Sequence, residues 1–190
     1  MSEVEVFHPK TIAAWRKWLE RNHASKQAVW LIFYNKKSAK TSITWSEAVD
    51  VALCFGWIDS KKISVDEETA HQFVSKRKAK STWSKINKEK IVALTEAGLM
   101  SEAGFKSIEV AKQNGSWSLL DDVEELIVPA DLEKAFRLHK GSKEYFDSLS
   151  KSVRKMMLQS LVLAKRPETR QNRIDEIARL AALGKKPKQF

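Results

Sequence analysis

Between Arg77 and Lys90 the chain reads RKAKSTWSKINKEK, a basic run broken by a tryptophan among small hydroxyl residues. Ser84, or Ser81 in its place, has the side chain of a helix N-cap, and Trp83 suits a hydrophobic staple. A helix start presents backbone N–H groups and the positive end of the dipole. Arg77 and Lys80 upstream, and Lys85 in the first turn, add full positive charges to that end. Cations placed there oppose the dipole unless an anion or an acidic partner offsets them, and that conflict points to anion binding. Two readings stand at this point: a plain helix start, or one wall of an anion site made of Lys36, Asp59, Arg77, Lys80, Ser81, Trp83, Ser84 and Asn87.

Asp59 carries the second choice. In a strand over 57–65 it shares a face with Trp57 and Lys61, with Ile58 on the other. It is either a carboxylate set in a cleft beside the basic run or a structural partner, for instance of Arg77. If the chain is an enzyme, Asp59 is the acid/base and Arg77 and Lys36 are its electrostatic stabilisers, but no nucleophile–base pair can be read. Arg170 and Arg173, at i and i+3 of a helix, can hold one anion or pair with the acids at 121–125.

Other chemistry is missing from the pattern. There is no P-loop, GxGxxG, HExxH or CxxC. His8, His23, His71 and His139 are far apart in the chain, so neither a metal nor a cofactor is predicted. The single cysteine, Cys54, reads as a core residue rather than a nucleophile.

Periodicity gives the elements that must hold these residues. EVEVF (3–7) alternates like a strand, and a helix runs from Pro9 to about Asn22. AVWLIFY (28–34) reads as a strand covered on both faces. Thr44 and Glu47 form a capping box for a helix to Gly56, with Trp45, Ala48, Val49, Ala52 and Leu53 as its apolar stripe. Strands at 57–65 and 70–76 flank an acidic turn at Asp66–Glu68. Helices follow at 84–97, 101–114, 129–139, 142–149, 150–165 and 167–183, with glycines 98, 115, 141 and 184 as stops. A stripe from Phe146 to Ala164 could cross Ser150 unbroken. Trp15, Trp18, Trp30 and Trp45 read as core anchors, whereas Trp57, Trp83 and Trp117 adjoin turns and could line a cleft. The fold class is α+β: a small, mainly antiparallel sheet with helices in the N-terminal half, and a helical C-terminal half. Residues 1–83 and 84–190 are expected to pack together as one compact unit.

Composition limits the partners. The 190 residues are 43% hydrophobic and 31% charged, enough for a buried core. No apolar run approaches the ~20 residues of a membrane span. The acidic first ten residues do not resemble a secretory leader, and one cysteine forms no internal disulfide, so a cytoplasmic protein is expected. The net charge of +10 is uneven. Residues 71–90 hold seven Lys/Arg against one Glu, and residues 121–135 hold six Asp/Glu against one Lys. Such polarity attracts anions of many kinds.

ALCFGWIDSK (52–61) followed by SKRKAKSTWSKIN (75–87) is similar to the bacterial YdeI/OmpD-associated, or bacteriocin-protection, family. WRKWLERNH (15–23) and VWLIFYNKKS (29–38) resemble its opening. LTEAGLMSEAG (94–104), AKQNGSW (111–117), VPADLEKAF (128–136) and AKRPETRQNRI (164–174) resemble its later blocks. The chain departs from the family's proline–arginine–arginine pattern at Lys76 and Lys78. The resemblance implies a role in tolerating bacteriocin-type or envelope stress and supplies no reaction, cofactor or catalytic residue. The expected function is therefore stress protection by non-covalent binding of an anionic small molecule or acidic partner segment between the GWID strand and the WSK-x-N helix start. The alternatives are a nucleic-acid-binding module without sequence preference, for which the pI of 9.6 is suited, and an enzyme acting through Asp59.

Overall fold

The run AVWLIFY forms strand β2 (Ala28–Tyr34), and its burial alternates. Val29 and Leu31 are fully buried, while Ala28, Trp30 and Ile32 between and beside them are half-buried. One face of the strand is thus sealed by helices, rather than both faces as the unbroken apolar run suggests. The computed structural model describes residues 4–35 and 37–190. By contacts these fall into two units: the chain up to Ser81 with Ile86–Trp117, and Thr82–Lys85 with Ser118–Phe190.

The first unit contains β1 (Val6–Phe7), α1 (Ile12–Asn22), β2, α2 (Trp45–Cys54), β3 (Trp57–Ser64) and β4 (Thr69–Lys76). It also holds α3 (Lys85–Glu96) from Ile86 onward and α4 (Glu102–Gln113). The four-stranded sheet has the order β1-β2-β4-β3; β1 runs parallel to β2 and the other pairs are antiparallel. In register, Val29 faces Val74 and Leu31 faces Gln72. Val29, Leu31 and Val74, with Trp57, Trp15, Trp18, Leu19 and Ala52, make one core. Trp15 and Trp18 stack at 5.2 Å, and the Trp15 indole donates to the Ala48 carbonyl at 3.0 Å, tying α1 to α2.

The capping box of α2 forms as its sequence dictates. Glu47 N–H donates to the Thr44 hydroxyl, and the Glu47 carboxylate accepts from Thr44 N–H. The expected stripe fails at one position: Trp45, at the first turn, is 53% exposed. A bulge between Asp59 and Lys62 also overturns the expected sharing of a face along β3. Trp57 and Asp59 pair with Lys76 and Val74 on the core side. Lys61 is carried across to Trp30, its ammonium 5.2 Å from that ring. The extra residue of a bulge breaks the period of two on which the expectation rests.

Helix α4 locks onto the turn between α2 and β3. Ser101 caps α4 by accepting from Gly104 N–H, and both its N–H and its hydroxyl donate to the Cys54 carbonyl, at 3.0 and 2.6 Å. A Cβ on Gly104 would lie 2.3 Å from that carbonyl oxygen. A side chain there cannot be fitted without moving α4 off α2.

The second unit is helical: α5 (Asp121–Glu124), α6 (Ala130–Leu138), α7 (Ser142–Ser148), α8 (Lys151–Val162) and α9 (Pro167–Ala181). Helix α9 packs against α6, α7 and α8, and Leu132, Phe136, Phe146, Leu158, Leu161 and Ile174 fill the space among them. The stripe from Phe146 to Ala164 does not run through. Leu149 is extended and Ser150 caps α8 by accepting from Val153 N–H, so the chain turns between α7 and α8. Arg170 makes two hydrogen bonds to Asp131, at 2.8 and 3.0 Å, and Arg173 donates to the Ser160 carbonyl. The pair is therefore built into helix packing, and the acid it meets is on α6 rather than at 121–125. Among the described residues no helix is long and apolar enough to cross a membrane.

Two outcomes test these contacts. Gly104→Ala should destabilise the protein by about 3 kcal/mol through overpacking. Gly98→Ala, at a left-handed position with open space around it, should cost about 1 kcal/mol of backbone strain. Equal costs in chemical denaturation would contradict the close approach at Gly104. The Arg170 guanidinium holds the Asp131 carboxyl below the usual carboxylate range, so the pair stabilises at neutral pH, and the gain begins to fall in that range and is lost as pH drops through the lowered value. Both groups are partly exposed, so Asp131→Asn should cost at most ~1 kcal/mol at pH 7, and the cost should shrink as the solution is made acid enough to protonate the carboxyl in the folded protein. A deficit that persists unchanged in acid would rule this out.

Candidate functional site

Gly56 ends α2 with a φ of +70°, a conformation open to glycine, and its carbonyl accepts from Arg77 N–H at 2.9 Å. A side chain at Gly56 would also meet the Ala103 carbonyl and Ser107 at 3.0 Å. This one turn therefore brings the end of α2, the start of β3, the end of β4 and the side of α4 together. They enclose a cleft of about 400 Å³. Phe55, Gly56, Trp57 and Val110 give it apolar walls; His23, Lys76, Arg77, Lys78 and Lys106 make it basic. None of the described residues that line it is acidic.

Three stretches place the basic side chains: the end of α1 places His23, the end of β4 places Lys76, Arg77 and Lys78, and α4 places Lys106. His23 follows α1, and its Nδ1 lies 2.8 Å from the Leu19 carbonyl. A carbonyl only accepts, so Nδ1 carries the proton and Nε2 is left for the cleft. The His23 ring rests against Phe55 at 5.2 Å. Lys76 donates to the Ala24 carbonyl at 2.7 Å. Burial pushes the Arg77 guanidinium down to about 10, and the charge of Asp59 acts the other way. Lys78 and Lys106 are exposed. Ser107 donates to the Gly104 carbonyl at 2.8 Å, which fixes its hydroxyl oxygen at the wall. Cys54 is buried beneath this turn, and burial pushes its thiol up, which suits a packing residue.

The residues read from sequence are distributed differently. Arg77 is in the cleft. Asp59 instead accepts from the Trp45 indole at 2.8 Å and from the Gln72 amide at 3.3 Å. Lys80 and Ser81 close a turn in which Ser81 N–H donates to the Lys78 carbonyl. Trp83, buried, and Ser84 belong to the second unit, and Asn87 to the first. Lys36 lies outside the described residues. At the start of α3 the conflict between cations and dipole is met within the chain. Lys85 N–H donates to Glu124 at 3.4 Å, and the Lys85 ammonium reaches Glu125 at 3.1 Å. Burial opposes the Glu124 charge, but Lys155 and Lys85 more than offset it and hold its carboxyl low. Trp117 has Lys88 and Lys112 over its ring, at 5.1 and 5.4 Å.

Sequence reasoning missed His23, Lys106 and Ser107. They stand far from Arg77 in the chain, and no spacing links them. The one available signal is Gly104, a glycine inside a helical period, which marks a close approach without naming its partner.

Residues 7–107 match the family model described as a domain of unknown function (DUF8412). Residues 125–184 match the model described as Bacteriocin-protection, YdeI or OmpD-Associated. No curated protein and no solved structure matches. The blocks at 128–136 and 164–174 fall within the second match, and those from 15 to 104 lie in the first. With more than half of its length matched, the chain belongs to the DUF8412 family, and its residues 125–184 carry the match to the bacteriocin-protection, YdeI or OmpD-associated family that the sequence resembles.

Proposed function

We propose that the chain binds a small anion with an apolar body in the cleft at Gly56 and Arg77, without covalent chemistry. The protection named in the family description would be exerted through that binding. One observation carries the reading: Lys76, Arg77, Lys78 and Lys106 meet over apolar walls in a cleft with no acid among its described lining residues. Elsewhere the chain neutralises such crowding itself, as Asp131 does for Arg170 and Glu124 for Lys155. Lys78 and Lys106 stand exposed beside Lys76 and Arg77, and an anion relieves the repulsion among like charges brought this close. The apolar walls favour a ligand with a ring or short chain behind its charge, because burying that surface adds to the electrostatic term. The setting is taken as cytoplasmic, in keeping with a single buried cysteine.

Thermal melts with phenyl phosphate and with inorganic phosphate test this. Phenyl phosphate should stabilise the wild type at concentrations about tenfold below those needed for phosphate, a gap of ~1.4 kcal/mol. Lys78→Ala with Lys106→Ala changes two exposed side chains, so the unliganded melt should barely move while the response to phenyl phosphate falls. An unaltered response in that double variant, or equal potency of the two anions, would refute the reading.

A further inference from the structure

The first unit has a second cleft, of about 380 Å³, between the far end of the sheet and the loop that leads into α2. We infer that it takes a planar ring bearing a hydrogen-bond donor on its edge and an anionic group, of the size of a nucleoside monophosphate. The key residue is Gln72, 4% exposed and lining the cleft. Its amide nitrogen donates to Asp59 Oδ2 at 3.3 Å and to the Ser60 carbonyl at 3.2 Å. Both of these groups only accept, so the amide cannot be turned the other way round. Its two hydrogens are used, and the carbonyl oxygen is what Gln72 offers to an occupant. An acceptor of fixed orientation on the wall of a cleft favours a ligand edge that carries an N–H or O–H.

The walls suit a flat ring. Trp45 is exposed, yet its indole N–H is tied to the same Asp59 oxygen at 2.8 Å, so the ring is set in place before any ligand arrives. Phe33 and Tyr34 lie on the sheet side. Asp59 thereby orients the stacking surface and the acceptor together, as a positioning residue. The charge comes from Lys40 and Lys62, and no acid lines the cleft among the described residues. The Lys40 ammonium stands 5.3 Å from the centre of the Tyr34 ring. A ligand ring laid on Tyr34 would take that place and leave the ammonium to pair with an attached phosphate. The volume is in the range of small-ligand sites, ~300–1,000 Å³.

Calorimetric titration of GMP, guanosine and inorganic phosphate, each alone, tests the inference. GMP has ring N–H donors and should bind; phosphate alone should not saturate the site. Lys40→Ala with Lys62→Ala should weaken GMP about tenfold and leave guanosine unaffected. Gln72→Met should weaken both GMP and guanosine by a similar factor; if that variant fails to fold, the lysine pair still decides. Lys78→Ala with Lys106→Ala, in the basic cleft, should leave GMP binding as it is. No GMP binding at millimolar concentration, or GMP binding that responds to the Lys78 and Lys106 changes and not to those at Lys40 and Lys62, would overturn the inference. Failure here leaves the phenyl phosphate result untouched, because the two clefts share no lining residue.

Discussion

The carbonyl of Cys54 is the point on which the first unit turns. It is the last residue of α2, where carbonyls lack helical partners, and Ser101 supplies two donors to it at once. The same serine caps α4, so one side chain ends one helix and starts another. Glycine at 104 lets the two backbones meet, and glycine at 56 lets the chain reverse immediately after. Without this joint there is no wall of α4 beside Arg77, and the basic residues of β4 would face water alone.

Charge distribution follows the same division of labour. Where cations crowd a structural position, an acid stands by: Glu124 and Glu125 at the first turn of α3, Asp131 against Arg170, Asp50 against Lys90. Partly exposed pairs of this kind contribute little stability, but they remove repulsion that would otherwise accumulate with a net charge of +10. No acid lines the cleft at Gly56 among the described residues, and burial pushes its most buried cation, Arg77, down while the charge of Asp59 acts the other way.

Of the residues in the basic run Arg77–Lys90, Arg77, Lys78 and Ala79 line the cleft at Gly56. The helices were legible because their caps and stops are local: Thr44 with Glu47, Ser101, Ser150, and the glycines at 98, 115, 141 and 184 all act within one turn. α5 was missed because four residues carry no periodicity. The face of Lys61 was misread because a bulge leaves no mark in the alternation. Trp45 looked like core because it stands on a helical stripe, yet it lies at the N-terminal end, where the stripe runs out of covering layer and its indole serves Asp59 instead. Arg77 could be picked from its neighbours in the chain, whereas His23 and Lys106 reach it only through the joint at Cys54 and the packing of α1.

The central claim is that the joint at Cys54 and Gly56 shapes a cleft that holds an anion. Amide chemical-shift mapping of the ¹⁵N-labelled protein during titration with phenyl phosphate tests it most directly. The account predicts that Gly56, Arg77, Lys106 and Ser107 shift together and saturate along one binding curve. Shifts that are unsaturable and scattered over the lysine-bearing surfaces, with these four amides unmoved, would contradict it.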